Sequence, residues 1–501
     1  MSTKRGQPQH LGDSEWMGFF SLPENPDQEV HGLLRVRDHK PVLVVSGKLA
    51  PWSQGRIPVV HGLLMGPPHS VTLFDAHVIR QSNSELVDEN DVPLVEQTCR
   101  VDWLVYGALL TNEDRVTHAF VHLSGLDAWA QAPVASLESS RDNAEEQQEL
   151  DNLDAPVAGA LPGTVRLTFP GERRLEAHQE SVVRRTQLEW TGREAMPLRQ
   201  VTQHFAVHLQ QFFSLVRMDR AVIDRYQVLI AGRPEQSLKV DGWMVEDPLG
   251  DQRHDGMAAR RDESGVQPIA TWLERHSSLG RAPGTMASIL TRGKYDERFV
   301  DAEFTTMVMA LEGLHRKLYP KKSGDLTKAQ AKEARRIISG IIMTAKEEGD
   351  FDDLMASILK ERVFNSQLSE PTLDQRIQDI LDDVQPLVSM ICGTAPGAQG
   401  LWKKVVKGLR NNYAHGLEKQ TEIAQTRVLA ASLTVLVAAR CLTQVGYSPE
   451  RLAESIPHTK GGGNLVYWGK TLMPSLYAPD DSTSSADQDA PSDEETPRAE
   501  D

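Results

Sequence analysis

The segment 428–441 reads VLAASLTVLVAARC and is the most apolar part of the chain. A helix that is apolar almost all round is normally buried. The run follows Arg427, contains Arg440, and at about fourteen residues is shorter than the roughly 20 needed to span a bilayer. We therefore predict a buried core helix over residues 421–445, in an all-helical part of the protein.

Amphipathic helices are predicted before this core helix. Apolar residues recur every three or four positions over residues 299–319, and the helix stops Pro320 and Gly324 follow. The remaining helices are predicted over residues 327–348, 351–365, 373–391, 399–412 and 420–444. The sequence thus predicts an all-α domain over residues 266–460. A glycine-containing linker and an acidic tail, disordered by composition, are expected over residues 461–501.

The first half of the chain has a different pattern. From Trp16 to Trp129, short alternating apolar runs are separated by Gly and Pro, which predicts a mostly antiparallel sheet. Strand-like runs resume after residue 164, and the helical spacing over residues 198–217 predicts a helix packed on the sheet. We predict a β-rich domain with at least one packed helix over residues 1–265. The fold class is therefore α+β, with this domain followed by the all-α helical bundle.

Much of the negative charge lies in two segments. The formal net charge is −16, and residues 480–501 hold nine acidic residues and one arginine. Residues 138–154 hold seven acidic residues and one arginine, so we predict a mobile acidic loop over residues 138–160. A charged, glycine-rich segment at residues 247–266 predicts a surface loop or hinge at the domain boundary. A protein this acidic binds nucleic acid only where basic residues cluster.

Several chemistries are disfavoured by the residues present. The cysteines Cys99, Cys392 and Cys441 lack the spacing of a disulfide framework or a metal site, which favours a reducing cytosol. The polar N-terminus is not followed by an apolar run, so no secretory signal is predicted. The β-rich half has no glycine-rich phosphate loop, metal-ligand cluster or Gly-x-Ser-x-Gly elbow. We expect a cytoplasmic protein without membrane association, metal or cofactor, whose β-rich half is a sensor or binds a ligand.

Arg410 and His415 lie five positions apart, shortly before the core helix. Arginine stays protonated and matches phosphate oxygens, whereas histidine can carry a proton at neutral pH. The spacing alone is weak support, because six other pairs also have an arginine, four to six intervening residues and a histidine: Arg5/His10, Arg56/His61, Arg115/His122, Arg173/His178, Arg199/His204 and Arg451/His458. Only the Arg410 pair follows a basic amphipathic helix in the predicted all-α domain and carries a polar residue, Asn411, after the arginine. Arg410, His415 and Asn411 are therefore the candidate catalytic residues.

Residues 298–447 resemble a HEPN domain, whose Arg-polar-x3–5-His signature is matched by RNNYAH at residues 410–415. The start of the chain, with MGFFSLPENP at residues 17–26, VHGLL at residues 30–34 and LDAW at residues 126–129, is similar to the N-terminal domain of ApeA-type HEPN proteins. These proteins are bacterial anti-phage defence factors. The resemblance implies an endoribonuclease of an abortive-infection system that cleaves host RNA, with tRNA as a candidate, when the N-terminal domain senses a phage-derived trigger.

Cleavage of RNA without a metal requires a base for the 2′-hydroxyl, an acid for the leaving oxygen and positive charge on the phosphate. One chain offers one histidine and one arginine, and five residues of an unbroken helix turn about 500°, which leaves them roughly 140° apart. A second copy related by a two-fold axis would supply the missing groups. We therefore predict a homodimer, or a higher homo-oligomer, whose composite site holds two copies each of Arg410 and His415.

Further candidates surround the motif. The predicted RNA-binding residues are Lys403, Lys404, Lys407 and Tyr413. The lysines either contact phosphate or form a solvated helix face, and Tyr413 either stacks on a base or packs in the core.

Asn412 and Glu312 are candidate supporting residues. Asn412 is interpreted as a helix cap because Gly416 follows. Glu312, like His315, either positions the motif or is an ordinary residue of an amphipathic helix. The alternative function is a non-catalytic HEPN-type scaffold or sensor that binds RNA or protein, in which Arg410 and His415 are structural.

Overall fold

The computed structural model describes residues 14–37, 39–51, 53, 55–87, 93–130, 153–176, 179–184, 186–242, 256–262, 264–291, 300–364, 368–414 and 423–477. The chain forms two compact units. The first comprises Met1–Asp296 and Ala438–Gly461, and the second comprises Glu297–Val437 and Gly462–Asp501.

The first unit begins with six antiparallel strands that close into a barrel. They are β1 (Ser14–Leu22), β2 (Asn25–Arg37), β3 (Lys40–Ser46), β4 (Ile57–Leu64), β5 (Ser70–Val87) and β6 (Pro93–Tyr106). The strand order is β3-β2-β1-β4-β5-β6, and β3 pairs back onto β6, which closes the ring. Alternate residues point inward, so Phe20, Leu34, Val45 and Leu104 share one buried core.

A second group of strands continues the sheet beyond β6. These are β7 (Arg115–Leu123), β8 (Asp154–Val157), β9 (Gly163–Thr168), β10 (Gly171–Glu176), β11 (Gln179–Arg184), β12 (Gln187–Pro197), β13 (Ile223–Ile230) and β14 (Arg233–Gly242). The order β6-β14-β13-β7-β12-β9-β8 continues the sheet, and β10 and β11 form a separate hairpin. The pairings are antiparallel, which confirms the predicted β-rich, mostly antiparallel domain. The acidic loop predicted over residues 138–160 does not reach residue 160, because β8 begins at Asp154. Residues 131–152 lie outside the described residues.

The helix predicted over residues 198–217 is present. It comprises α2 (Leu198–Val201), a π-helical turn (Thr202–Val207) and α3 (His208–Arg217), while the short α1 (Leu126–Ala130) precedes β8. Phe212 and Phe213 on α3 are fully buried, and Phe213 packs edge-to-face on Trp129 of α1 at 5.8 Å between ring centroids. Burial of these aromatic rings holds the helix in the first unit.

The first unit extends beyond the boundary predicted after residue 265. Helix α4 (Gln267–Arg275) packs on β8 and α3, and α5 (Ala282–Thr291) packs on α3. The buried Trp272 indole of α4 donates to the His208 carbonyl at 2.8 Å. Within the predicted surface loop, Ala258 is buried and its N–H donates to the Val216 carbonyl at 2.7 Å. The surface-loop prediction is therefore wrong for this part of residues 247–266, because its apolar residues pack against α3.

The second unit is helical, as predicted. Its helices are α6 (Val300–Leu318), α7 (Lys328–Glu347), α8 (Asp353–Phe364), α9 (Leu373–Asp382), α10 (Val388–Cys392) and α11 (Ala398–Ala414). Helices α7 and α9 begin with capping boxes at Thr327 and Thr372, which fix their starts. The single helix predicted over residues 373–391 is divided by a 3-10 turn at Gln385–Leu387, where Pro386 lies.

Helix α12 (Ile423–Thr443) contains the apolar segment 428–441. Its length and composition would allow it to cross a membrane, but 83% of its most apolar 18-residue stretch is buried inside the protein. Leu429, Leu433 and Leu436 are fully inaccessible to solvent. The predicted buried core helix is confirmed.

The glycine linker predicted from residue 461 is wrong. Within the described residues, α12 is followed by α13 (Pro449–Ser455), α14 (Lys460–Leu472) and α15 (Pro474–Tyr477). The run Gly461–Gly463 lies inside α14, and a Cβ at Gly469 of the same helix would come within 2.8 Å of the Tyr477 ring. Close packing therefore outweighs the low helix propensity of glycine. The acidic tail, residues 478–501, lies outside the described residues.

Candidate functional site

Helix α11 carries the candidate motif and is amphipathic. Its buried residues Trp402, Val406 and Leu409 recur at helical spacing and face the second unit's core. The Trp402 indole donates to the Ser432 hydroxyl of α12 at 3.0 Å, which pins the two helices together. The opposite face of α11 is therefore fixed towards solvent.

The Arg410 side chain lies at the edge of this exposed face. It is 39% exposed, and its Nη2 lies 3.8 Å from Oε1 of Glu312 on α6. Its Nη1 lies 3.4 Å from Oδ1 of the neighbouring, exposed Asn411. Both distances are long for hydrogen bonds. These contacts therefore orient the guanidinium but leave it N–H donors for further hydrogen bonds. The structure thus brings together Arg410, Asn411 and the predicted supporting residue Glu312.

His415 lies outside the described residues. Residues 410–414 are the last residues of α11 and form one continuous helix. The angular relation of Arg410 to His415 therefore stays a prediction.

Asn412 and Tyr413 of the motif are partly buried. The Tyr413 ring lies 5.9 Å from the Phe304 ring of α6, and its hydroxyl lies 3.4 Å from the hydroxyl of buried Thr426. These contacts favour the packing interpretation of Tyr413. Asn412 lies inside α11, which continues to Ala414, so the prediction that it caps the helix is wrong.

The three candidate lysines are not equivalent. The Lys403 side chain is only 16% exposed, and its Nζ donates to Gln378 Oε1 at 2.9 Å and lies 3.4 Å from Asp374 Oδ2. These partners on α9 hold Lys403 inside the unit. Lys404 and Lys407 are exposed on the outer face of α11. Lys403 therefore has an intramolecular role, while a basic RNA path that includes Lys404 and Lys407 stays a prediction.

A separate polar cluster joins α6 to α9. His315 is buried, and its Nε2 lies 2.8 Å from Asp379 Oδ2, while Lys322 bonds the other carboxylate oxygen. Burial, helped by the nearby positive charges of Arg376 and Lys322, lowers the pKa of His315 below its usual value, although pairing with Asp379 opposes the shift. His315 thus supports the packing of α6 on α9. The sequence held no signal for Asp379, which looks like any other acid on an amphipathic helix.

The cysteines are buried and unreactive. Burial raises the pKa of Cys99 to about 11, and it raises the pKa values of Cys392 and Cys441 to about 12. All three thiols are therefore protonated at neutral pH. Among the residues that the structure describes, no group of three or more His, Cys, Asp or Glu side chains could hold a metal ion.

Two family models match the chain. The model described as ApeA N-terminal domain 1 matches residues 15–243, and the model described as Apea-like HEPN matches residues 305–451, which include α11 and the whole Arg410 motif. No curated protein and no solved structure matches the chain. HEPN domains are generally ribonucleases. The two matches lie in the predicted order and cover the β-rich and the helical parts, so the chain belongs to the ApeA-type HEPN proteins, a family of defence nucleases.

Proposed function

We propose that this protein is a metal-independent endoribonuclease of an anti-phage abortive-infection system, acting on host RNA with tRNA as a candidate substrate. The observation that carries the proposal is the setting of Arg410 within the HEPN match. Its guanidinium is partly exposed, is oriented by long contacts, and shares the outer face of α11 with Lys404 and Lys407. By helix geometry these cations and Asn411 fall within an arc of roughly 120°, which suits a phosphate backbone.

The chemistry follows from the groups in the motif. In a composite site, one His415 takes the proton of the 2′-hydroxyl and the other protonates the leaving 5′-oxygen. The two Arg410 guanidiniums stabilise the negative charge that develops on the phosphate. Glu312 acts as a positioning residue for Arg410, and Asn411 contacts the phosphate or orients His415.

Homodimerisation is supported by the outer face of α11. Gly400 and Gly408 lie in the middle of this helix, where glycine costs about 0.5–1 kcal/mol relative to alanine. An added Cβ at either position would meet no atom within 4 Å, so nothing described in this chain requires glycine there. Glycine would be required at these positions if a second helix packed closely against α11. Met309, one turn before Glu312 on α6, is 67% exposed and would be covered by the same approach.

Expression in cells tests the proposal. We expect wild type to produce new RNA ends and growth arrest on phage infection, and Arg410→Ala and His415→Ala to produce neither. Arg336→Ala is the matched control, because it removes an exposed arginine of α7 that pairs locally with Glu333. Identical RNA ends and toxicity in all four proteins would refute the nuclease proposal.

The alternative is a non-catalytic HEPN-type scaffold or sensor that binds RNA or protein. It is favoured by the contact between Arg410 and Glu312, since a structural arginine would also make it. A scaffold would produce no new RNA ends in wild type. It would lose stability in the Arg410→Ala variant, whereas a catalytic arginine this exposed would leave the melting temperature nearly unchanged.

A further inference from the structure

A cavity of about 310 Å³ opens in the first unit beside the closed barrel. Its walls come from the start of β4, the middle of β5 and β6, the turn before β7, and α2. This volume lies at the lower end of the range for small-molecule sites and limits a ligand to about the size of a mononucleotide. The cavity lies within the match to ApeA N-terminal domain 1, and the nuclease proposal does not use it.

The base of the cavity holds a buried carboxylate between two arginines. Arg56 donates through Nε to Oδ1 of Asp75 at 2.8 Å, and Nε of Arg199 lies 3.7 Å from Oδ2. The Asp75 side chain is 9% exposed, whereas that of Arg199 is 60% exposed. The carboxylate therefore orients the guanidiniums, and the loosely held Arg199 keeps donors for an anionic group at the mouth.

Asp75 has an unusual backbone conformation. Its φ is 54°, in the left-handed region that non-glycine residues rarely adopt. Asp75 interrupts the pairing of strand β5. The residues on either side of it, Phe74 and Ala76, pair with both β4 and β6. Such conformations persist only where the surroundings impose them, and they concentrate at binding sites.

Two aromatic side chains that line the cavity, Phe74 and Trp103, are only 4% and 6% exposed. The rings of Phe74 and Trp103 stack with centroids 4.2 Å apart and an interplanar angle of 7°. Trp103 is backed by Gly242, where a Cβ would lie 2.8 Å from the Trp103 Cβ. Both side chains are therefore fixed before any ligand arrives, which lowers the entropic cost of binding a ring against their exposed edges.

The rim adds a hydrogen-bond acceptor. Oδ2 of Asp114 accepts from the Thr111 N–H at 2.7 Å and from the Thr111 hydroxyl at 3.1 Å. This turn holds the carboxylate in place. Its other oxygen is suited to accept from amino or imino groups of a heteroaromatic ring. Because two acids offset the two arginines in the lining, the site favours a ligand that combines an anionic group with N–H donors over a simple anion.

We propose that this cavity binds a nucleoside monophosphate or a ligand of that chemistry. Arg56 and Arg199 hold the phosphate, the exposed edges of Phe74 and Trp103 contact the base, and Asp114 accepts from its N–H groups. The inference stands apart from the proposed nuclease function, and it gives the N-terminal unit a small-molecule ligand.

Calorimetric titration of the full-length protein tests this site with AMP, GMP, guanosine and inorganic phosphate. We expect a nucleoside monophosphate to bind more tightly than guanosine or phosphate. Arg199→Ala should weaken its binding about ten- to a hundred-fold, the usual cost of losing a hydrogen bond to a charged group. Asp75→Asn should also weaken binding, about tenfold, because it removes the carboxylate that orients both guanidiniums, whereas asparagine still tolerates the left-handed conformation.

Two controls locate the binding. Arg166→Ala removes an equally exposed arginine, which pairs with Asp154 on the far strands β9 and β8, and should leave the affinity unchanged. Arg410→Ala should also leave it unchanged. The proposal is overturned if neither nucleotide binds at millimolar concentration, if phosphate binds as tightly as both nucleotides, or if Arg410→Ala abolishes binding and Arg199→Ala does not.

Discussion

Arg410 is one of seven arginines that precede a histidine by four to six intervening residues, yet its setting differs from that of two of the others. Arg56 and Arg199, two of these, flank the buried Asp75 in the barrel unit. Arg410 instead lies on a solvent-facing helix edge, where its contacts with Glu312 and Asn411 are long. Spacing in sequence therefore could not single out this candidate, whereas the helical setting around residues 398–414 could.

At the residue scale, Glu312 provides the first prediction. Glu312→Gln keeps the size of the side chain but removes the charge that orients Arg410, so we expect RNA cleavage to fall about tenfold. Arg410 Nη2 and Glu312 Oε1 lie 3.8 Å apart and the Arg410 side chain is 39% exposed. The free energy of unfolding should therefore change by less than about 1 kcal/mol. Single-turnover cleavage and thermal denaturation measure the two effects. Full activity in Glu312→Gln would remove its positioning role.

His122 in the first unit provides the second prediction. Burial alone would lower its pKa, but hydrogen bonds and charges from Asp127 and Asp224 outweigh burial and raise it to about 9. A raised pKa stabilises the fold fully below the unfolded value near pH 6.5 and loses that effect as the pH rises through 9. We expect a loss of up to about 3 kcal/mol over this window.

Thermal denaturation between about pH 6 and 10 measures the His122 effect. His122→Gln should lower stability at the acidic end of this range and flatten the decline towards the alkaline end. A parallel decline in wild type and variant would contradict the assignment to His122.

At the element scale, local signals predicted most helices and strands. Apolar spacing and stop residues predicted α6, and the alternating runs predicted most of the strands of the first unit. The barrel closure of β3 on β6 was not predicted, because it joins segments far apart in sequence through backbone hydrogen bonds that no local pattern encodes. Helix α14 was missed because the run Gly461–Gly463 has low helix propensity, whereas the packing of Gly469 against Tyr477 is a long-range contact that no local pattern shows.

The outer face of α11 provides the third prediction. Gly408→Ala should raise the stability of the isolated chain by about 0.5–1 kcal/mol, because alanine is the better helix former and meets no neighbour there. Gly408→Trp should block the approach of a second copy and abolish both dimer formation and cleavage. Light scattering and cleavage assays measure these effects. Gly340→Trp on α7, which also faces open space, is the matched control. A dimeric, active Gly408→Trp would contradict the proposed interface.

At the scale of the whole molecule, a net charge of −16 requires that RNA binding depend on a local basic surface. Each phosphate neutralised on single-stranded RNA contributes about 0.7 to the slope of log affinity against log salt. Lys404→Ala and Lys407→Ala should therefore each reduce the magnitude of that slope by about 0.7. Lys403→Ala should leave it unchanged, because Lys403 is engaged with Gln378 and Asp374. Equal slopes for all three variants would place the RNA elsewhere.

The chemistry of the RNA ends tests the central claim most directly. Purified protein is incubated with labelled RNA in the presence of a metal chelator, and the product termini are identified. Attack by the 2′-hydroxyl predicts 2′,3′-cyclic phosphate and 5′-hydroxyl ends from wild type and none from Arg410→Ala or His415→Ala. Ends carrying a 5′-phosphate, or identical products from wild type and both variants, would contradict a metal-independent ribonuclease built on Arg410 and His415.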